Sequence, residues 1–398
     1  MPTISNRGVH MPPSPIRKLV PFADAAKAKG IKVYHLNIGQ PDIETPKMVL
    51  DAVRNSDIKV LEYSHSAGFL SYRKKLVAYY AQFGISLTPD EILVTTGGSE
   101  AILFAIMSCL DPGDEIIIPE PFYANYNSFA IASQAKVVPV TSYIENDFKL
   151  PPIEEFEKKI TSKTKAIMIC NPNNPTGYVY SAAEMNTLRD ICLKYNLFLF
   201  SDEAYREFCY DDNVHISAMT LEGLENNVIL LDTISKRYSA CGGRLGAFIT
   251  KNKEVYEAAL KFAQARLSPP TFAQIAGEAA VDLPKDYFNE IKKEYELRKN
   301  TLVTRLQKMD GVVCPMPKGA FYAIAKLPVE DAEDFCKWLL SSFSYQNQTI
   351  MMAPAAGFYS SSLGKNEVRF AYVLNTDDIN NAMDCLEHGL KEYQKQKA

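Results

Sequence analysis

Four groups of polar residues follow directly after short β-rich runs of the sequence, and their residue types could do chemistry. The first is Gly97-Gly98-Ser99-Glu100, which precedes a segment of helical period. In open α/β sheets, ligands bind beyond the carboxyl ends of the strands. Glycines at a helix start let a phosphate approach backbone N–H groups at the positive helix end, although such a pair is also common in plain turns. No G-x-G-x-x-G or Walker A pattern occurs, which argues against dinucleotides and nucleoside triphosphates.

The second and third groups supply amides and a carboxylate. The run Asn171–Gly177 is richer in Asn and Pro than a connecting turn requires. Asp202 follows another β-rich run and precedes Tyr205. A carboxylate at this position can cap a helix or turn, or it can bind a ligand at the edge of a sheet, and both interpretations stay open on residue type alone.

The fourth group ends in Lys236, in the sequence Thr233-Ile234-Ser235-Lys236. Most lysines are solvated surface charges, but this one has apolar and small neighbours and follows a strand that we expect to be buried. Arg244 comes eight residues later, after two glycines. Lys236 is therefore the lysine whose setting most favours a functional role.

Alternating strand and helix patterns position these groups. From about residue 90 to 250, the pattern predicts a mostly parallel sheet with helices on both faces, which is an α/β fold. The predicted strands are Ile92–Thr95, Glu115–Ile118, Lys136–Val140, Ala166–Cys170, Leu197–Ser201, Val228–Leu231 and Gly246–Ile249. The predicted helices are Glu100–Leu110, Ala124–Ser133, Ile153–Ile160, Ala182–Tyr195 and Lys253–Ala265.

A different pattern begins after about Pro284. It predicts a long charged helix through Lys308, strands near Ala320–Ala325, Ile350–Met352 and Val368–Val373, and a helix from Asp377 onward. We expect a large domain at residues 46–284 and a smaller α+β domain built from residues 1–45 and 285–398. The first 40-odd residues have too little apolar periodicity to fold alone, so we expect them to pack on the small domain or on a partner subunit.

Composition limits the classes of function. The chain has 398 residues, 47% of them hydrophobic, and a formal net charge of −4, so it lacks the basic excess that nucleic acid binding requires. The eight cysteines form no C-x-x-C pairs and the five histidines show no metal-ligand spacing. No apolar run reaches about 18 residues, and no signal-peptide core is present. We expect a soluble, cytoplasmic protein that binds small molecules, without disulfides, metal, membrane or nucleic acid.

The order and spacing of the motifs resembles a known family over nearly the whole chain. The motifs are Gly39-Gln40-Pro41-Asp42, Tyr63, Gly97-Gly98-Ser99-Glu100-Ala101, Pro121-Phe122-Tyr123, Asn174-Pro175-Thr176-Gly177, Asp202-Glu203-Ala204-Tyr205, Ser235-Lys236, Arg244 and Arg369. Each motif is modest alone, but the ordered set is very specific. It resembles the fold-type I pyridoxal 5′-phosphate (PLP) enzymes, specifically the class I/II aminotransferases and their aspartate aminotransferase branch. The resemblance implies the PLP-transferase type I fold.

The resemblance also implies roles around the cofactor ring. Lys236 is similar to the lysine that holds PLP as a Schiff base, for which its amine must be uncharged. Asp202 resembles the carboxylate that keeps the ring nitrogen protonated. Asn174 and Tyr205 resemble the pair that hydrogen-bonds the ring 3-oxygen, and Tyr123 resembles the aromatic residue that stacks on the ring.

The expected phosphate site lies at the helix start. The resemblance assigns the cofactor phosphate to a guanidinium, to hydroxyls and to backbone N–H groups, which suit an anion at a helix end. These are Arg244, the hydroxyls of Ser99, Ser235 or Thr233, and the backbone of Gly98, Ser99 and Glu100. In the family, Tyr63 reaches the phosphate from the neighbouring subunit, which implies a homodimer with sites at the interface.

The substrate side of the site is expected to bind carboxylates. Arg369 resembles the arginine that binds the substrate α-carboxylate, assisted by Asn174 and the backbone of Gly39. Some dicarboxylate-specific members place a lysine where this chain has Ser99. Arg266 lies in the loop from which other members send an arginine into the partner's site, so it is our candidate for the distal carboxylate.

The sequence therefore predicts an aminotransferase that exchanges an amino group between an amino acid, aspartate or glutamate, and a 2-oxo acid by a ping-pong mechanism. An aromatic or broad-specificity aminotransferase is one alternative. A PLP-dependent lyase or decarboxylase on the same fold is another, because the fold does not decide which bond breaks. A non-enzymatic effector domain is a third, and the full set of catalytic positions argues against it.

Overall fold

The computed structural model describes residues 2–284 and 286–397. In these ranges the helices are α1 (Asn6–His10), α2 (Val20–Ala28), α3 (Lys47–Arg54), α4 (Leu70–Ala81), α5 (Gly97–Cys109), α6 (Asn125–Ala132), α7 (Ile153–Glu157), α8 (Ala182–Tyr195), α9 (Lys253–Arg266), α10 (Thr271–Val281), α11 (Tyr287–Gln307), α12 (Ala332–Ser341) and α13 (Thr376–Lys397). The strands are β1 (Lys32–His35), β2 (Ile92–Thr95), β3 (Glu115–Glu120), β4 (Lys136–Thr141), β5 (Thr164–Cys170), β6 (Phe198–Asp202), β7 (Val228–Thr233), β8 (Gly246–Ile249), β9 (Tyr322–Lys326), β10 (Gln348–Met351), β11 (Ala353–Pro354) and β12 (Glu367–Ala371).

Buried apolar runs form a seven-stranded sheet in the order β2-β8-β7-β6-β5-β3-β4. The strands from β7 to β4 pair in parallel, whereas β8 runs antiparallel to both of its neighbours. Strands covered on both faces are near-continuous hydrophobic runs, and β2, β3, β7 and β8 are buried at every residue. All seven predicted strands are confirmed, with ends that differ by at most two residues. The fold is α/β.

Helices between the strands cover the sheet. α8 begins with a capping box, in which the Ser181 side chain accepts from the Glu184 N–H while the Glu184 carboxylate accepts from the Ser181 N–H. α5 packs on β7 and β8 and begins at Gly97, three residues before the predicted start. The two glycines therefore lie in its first turn, where their free N–H groups face the sheet edge.

A second group of strands belongs to the ends of the chain. β11, β12 and β9 form an antiparallel sheet, and β1 pairs in parallel with β10. The predicted strands and the long helices of this region are confirmed as β9, β10, β12, α11 and α13. β1 and α2 are absent from the sequence prediction, and β1 depends on its partner β10, which lies far along the chain. α2 packs on α12. This part of the N-terminal segment therefore packs on the second group of strands and helices, which is one of the two arrangements that the sequence predicts.

Three of the unpredicted helices, α3, α4 and α10, pack on one another. α10 lies against both α3 and α4, beside the large sheet. Within residues 2–284 and 286–397, every helix is too short or too polar to span a lipid bilayer.

Candidate active site

Four loops meet at one edge of the seven-stranded sheet. The register pairs Cys170, the last residue of β5, with Asp202, the last residue of β6, and β7 continues the same alignment. Thr95 of β2 and Thr233 of β7 both pair with Gly246, the first residue of β8. The sheet therefore brings the four predicted polar groups together at a single edge, where ligands of open α/β sheets bind.

The Lys236 amine lies in the loop after β7. Its Nζ donates to the Gly39 carbonyl oxygen at 2.7 Å and to the Cys241 Sγ at 3.7 Å. Gly39 belongs to the loop after β1, so the N-terminal segment reaches this edge of the large sheet. The contact joins the predicted nucleophile to a backbone group that the sequence predicts to bind substrate.

Asp202 is a half-buried carboxylate that lacks a compensating charge among the described residues. Its oxygens accept from the Tyr126 hydroxyl at 2.7 Å and from the Ala204 N–H at 3.2 Å. In the described part of the chain, no Lys, Arg or His forms an ion pair with it. Burial raises the pKa of Asp202 to about 6, although the Tyr126 hydrogen bond opposes the shift. A ligand with a cationic N–H group would supply the missing charge.

The start of α5 lies beside the guanidinium of Arg244. Gly97 has a φ of +73°, and a Cβ there would lie 2.4 Å from a guanidinium nitrogen of Arg244, so only glycine fits. Arg244 Nη1 is held by the Cys241 carbonyl oxygen at 3.0 Å. The hydroxyls of Thr233 and Ser235 lie 2.7 Å apart on the adjacent loop. Helix N–H groups, a guanidinium and two hydroxyls together suit a phosphate.

Arg369 of β12 is buried, with only 1% of its surface exposed. Its Nη1 donates to the Asn174 Oδ1 at 3.0 Å and its Nη2 donates to the Asn37 carbonyl oxygen. Its Nε has no hydrogen-bond partner. No carboxylate pairs with it among the described residues, and burial lowers its pKa. A guanidinium in this state is suited to bind a ligand carboxylate.

Tyrosines surround the space near Asp202 and Arg369. The Tyr123 hydroxyl accepts from the Asn125 side chain at 2.7 Å, and Tyr123 interacts electrostatically with Asp202 and Arg369. Burial raises the pKa of Tyr123 to about 12. The hydroxyl of Tyr205 lies 2.9 Å from a second tyrosine hydroxyl, that of Tyr322. The predicted ring contacts therefore lie in the same region as the two charged groups.

A buried cluster of charged residues joins the loop after β7, which carries Lys236, to the loop after β6. Arg237 forms ion pairs with Asp232 and, at 3.1 Å, with Glu207. Arg206, which follows β6, lies 3.9 Å from Asp232. A buried charge that loses its partner costs several kcal/mol, so this cluster resists rearrangement of the loops after β6 and β7. In the described ranges, no group of three or more His, Cys, Asp or Glu side chains is arranged to hold a metal ion.

Two of the predicted site residues are not positioned to contact a substrate within this chain. Tyr63 is 76% exposed. Arg266 donates from Nη1 to the Glu100 carboxylate at 3.1 Å and from Nη2 to the carbonyl oxygens of Ser66 at 3.0 Å and Val94 at 3.3 Å. The Arg266 guanidinium is therefore bound within its own chain.

Two site residues are missing from the sequence prediction. Tyr126 donates to Asp202, and its position one turn after the predicted Tyr123 was a usable signal. Tyr322 contacts Tyr205 from β9. No local pattern marks Tyr322, because it reaches the site from the second group of strands.

Comparison with known proteins identifies the family of the chain. The sequence matches the family described as aminotransferase class I and II over residues 31–386. It is 32% identical to the aspartate aminotransferase of Pyrococcus horikoshii, covering 98% of this chain and 97% of the relative. It is 30% identical to aromatic-amino-acid aminotransferase 2 of Thermococcus litoralis, covering 98% of both. The solved structure of alanine aminotransferase from Pyrococcus furiosus matches with a TM-score of 0.90 at 32% identity, covering 98% of this chain and 100% of that one. The chain therefore belongs to the class I and II aminotransferases, a family of enzymes that depend on pyridoxal 5′-phosphate.

Proposed function

We propose that this aminotransferase exchanges an amino group between aspartate or glutamate and the 2-oxo acids oxaloacetate or 2-oxoglutarate by a ping-pong mechanism. The observation that carries the proposal is the buried Arg369 guanidinium, which faces no carboxylate in the described chain and retains an unpartnered Nε. Amino acids and 2-oxo acids both supply that carboxylate. The relatives include aspartate aminotransferases and an aromatic aminotransferase, so an aromatic or broad-specificity enzyme is the second candidate.

The residues at the sheet edge fit PLP. Asp202 lacks a cation and suits a protonated ring nitrogen, while Tyr123 offers an aromatic face. The start of α5 with Arg244 suits the phosphate, and the Lys236 amine is available for covalent attachment. PLP held here supplies an aldehyde for that attachment and a ring that takes up negative charge.

The chain's own groups then bind the substrate and move its proton. Arg369 holds the α-carboxylate, which orients the substrate α-carbon toward the Lys236 amine. With PLP held here, the Lys236 Nζ would remove the α-proton and deliver it to the carbon that was the cofactor aldehyde. Asn174 presents its Oδ1 to Arg369, so its amide N–H group is left to donate to the ring 3-oxygen beside Tyr205.

Preference for a dicarboxylate requires a second cation, and Arg266 is the proposed one. In the described chain this guanidinium already binds the Glu100 carboxylate. Binding of a distal carboxylate at Arg266 therefore exchanges one carboxylate acceptor for another. Ser99, which stands where some dicarboxylate-specific members have a lysine, supplies no charge of its own.

Arg266→Ala is expected to raise the KM for aspartate more than the KM for phenylalanine or tyrosine, by up to about tenfold to hundredfold. A newly formed desolvated charge-assisted pair contributes about 1.5–3 kcal/mol, and displacement of Glu100 makes this the upper limit. Steady-state kinetics with 2-oxoglutarate as acceptor measures both. Glu100→Gln is the matched variant: it frees Arg266 and should leave or lower the KM for aspartate. Equal effects of Arg266→Ala on both substrate classes would show that Arg266 only anchors α9.

We also propose a homodimer whose sites lie at the subunit interface. Val60, Leu61 and Tyr63 expose apolar surface, and a hydrogen bond of 2.6 Å from Ser66 to the carbonyl oxygen of Leu267 brings the exposed Leu267 beside them. The expected mass in solution by light scattering is about twice the chain mass of 44.5 kDa. A monomeric mass combined with full activity would contradict the proposal.

The proposed domain division follows the two groups of strands. Residues 46–284 hold the seven-stranded sheet, and residues 1–45 and 285–398 hold β1 and β9–β12. Limited proteolysis that releases these units tests the division. We propose the cytoplasm as the location, because the eight cysteines are all free thiols and most are buried, which suits a reducing compartment.

A further inference from the structure

Tyr322 contacts three of the proposed ligand-binding residues at once. It lies in β9 and is 2% exposed. Its hydroxyl is 2.9 Å from the Tyr205 hydroxyl, and its ring lies 4.5 Å from the Arg369 Cζ. A Cβ on Gly39 would lie 1.8 Å from the Tyr322 hydroxyl oxygen, so that hydroxyl occupies the side-chain position of residue 39. One side chain therefore touches the cofactor side and the substrate side of the site.

The hydrogen bond between the two tyrosines can run in either direction, because either hydroxyl can donate. Each phenol carries one proton and can also accept. In the described part of the chain, the Tyr322 hydroxyl has Tyr205 as its hydrogen-bond partner and no other. If Tyr322 donates to Tyr205, the Tyr205 proton is left for a ligand. A phenol that accepts a hydrogen bond is also a stronger donor, because hydrogen bonds in a chain polarise one another.

The ring of Tyr322 also limits the orientation of Arg369. The guanidinium contacts two aromatic rings, with its Cζ 4.5 Å from the Tyr322 centroid and 4.8 Å from the Phe358 centroid. A guanidinium stacked on aromatic faces keeps its donors in the plane between them. One N–H on each Nη and the N–H of Nε are left over, and these donors lie in the guanidinium plane that the proposed carboxylate would share.

We propose that Tyr322 is a positioning residue with two separable functions. Its hydroxyl directs the Tyr205 proton toward the cofactor 3-oxygen, and its ring, together with Phe358, holds the plane of Arg369 for the substrate carboxylate. This inference rests on the proposed cofactor and substrate site. The titratable groups that interact with Tyr322 are Tyr123, Tyr205, Tyr295, Tyr372 and Arg369.

Three variants of the holoenzyme separate the two functions. Tyr322→Phe keeps the ring and removes the hydroxyl, Phe358→Leu removes one stacking face and leaves the hydroxyl, and Tyr322→Leu removes both. The first measurement is the pKa at which the absorbance of the lysine-linked cofactor changes. The second is the Kd for maleate, a dicarboxylate without an amino group, measured from the same absorbance.

Tyr322→Phe is expected to raise the pKa of the lysine-linked cofactor by about half a unit to one unit, because weaker donation from Tyr205 stabilises the ring 3-oxygen anion less. Its Kd for maleate should change by less than about twofold. Phe358→Leu should leave this pKa unchanged and raise the Kd about threefold or more, since one cation–π contact is lost. Tyr322→Leu should show both effects.

An unchanged pKa in Tyr322→Phe, or equal pKa shifts in Tyr322→Phe and Phe358→Leu, would overturn the inference. The wild-type protein distinguishes this failure from failure of the proposed site. If wild-type protein binds PLP at Lys236 and its absorbance responds to maleate, the proposed site holds and only the role of Tyr322 is rejected. If wild-type protein does neither, both are rejected.

Discussion

Lys236→Ala is expected to lower the transamination rate at least about a thousandfold and to remove the covalent link to PLP. The amine at this position is proposed both to attach the cofactor and to transfer the substrate α-proton, and positioned proton transfer alone contributes about a hundredfold to ten-thousandfold. In the structure the Lys236 Nζ is held at the sheet edge by the Gly39 carbonyl oxygen. A coupled assay measures the rate, and borohydride reduction followed by peptide mass spectrometry locates the link.

The matched control is Lys261→Ala, which removes an exposed lysine of α9 that lies outside the site. It should retain wild-type activity and the covalent link. Substantial activity in Lys236→Ala, or borohydride labelling of another lysine, would contradict the assignment of Lys236 and with it the proposed site.

Asp202→Asn is expected to fold and to bind PLP but to lose at least about tenfold in turnover, which corresponds to about 1.4 kcal/mol of barrier. An amide cannot keep the ring nitrogen protonated, so the ring takes up negative charge less well. Steady-state kinetics with a saturating amino acid and acceptor measures the loss. A loss below tenfold would indicate that Asp202 only caps the turn to Ala204.

The same substitution should stabilise the cofactor-free protein at neutral pH. Burial raises the folded-state pKa of Asp202 to about 6, whereas an unfolded aspartate has a pKa of about 3.9. Between these values the folded state binds the proton more tightly, so stability falls as pH rises from about 4 to about 6. Above pH 6 the ionised carboxylate costs about 3 kcal/mol, and Asn lacks this cost. Urea unfolding at pH 8 and pH 4.5 measures the difference, which should shrink at the lower pH.

Asp331→Ala is the control for simple capping. The Asp331 side chain accepts from the Glu333 and Asp334 N–H groups at the start of α12, so its loss should cost about 1 kcal/mol of stability and no turnover. If Asp202→Asn behaves like Asp331→Ala, with lost stability and retained turnover, Asp202 is a cap. Gained stability with lost turnover in Asp202→Asn identifies Asp202 as a binding group whose charge destabilises the cofactor-free protein.

Local sequence determined the large sheet and the positions of most site residues. The seven strands are short runs of apolar and β-branched residues bounded by Gly, Pro, Asn and Asp, and such runs are recognisable without tertiary information. Because parallel strands end at one edge, Asp202, Lys236 and the start of α5 could be placed near one another from sequence order. The order of the motifs also indicated the family, and the family match over residues 31–386 confirms it.

The tertiary structure decided the contacts that depend on residues far apart in the chain. β1 exists because it pairs with β10, Tyr322 reaches Tyr205 from a different sheet, and Arg266 binds Glu100 within its own chain. None of these contacts has a local pattern, because each is stabilised by burial and hydrogen bonding between segments that only the folded chain brings together. The state of Asp202 has the same origin: its carboxylate is ordinary in the sequence, and its raised pKa arises from the removal of water by the surrounding fold.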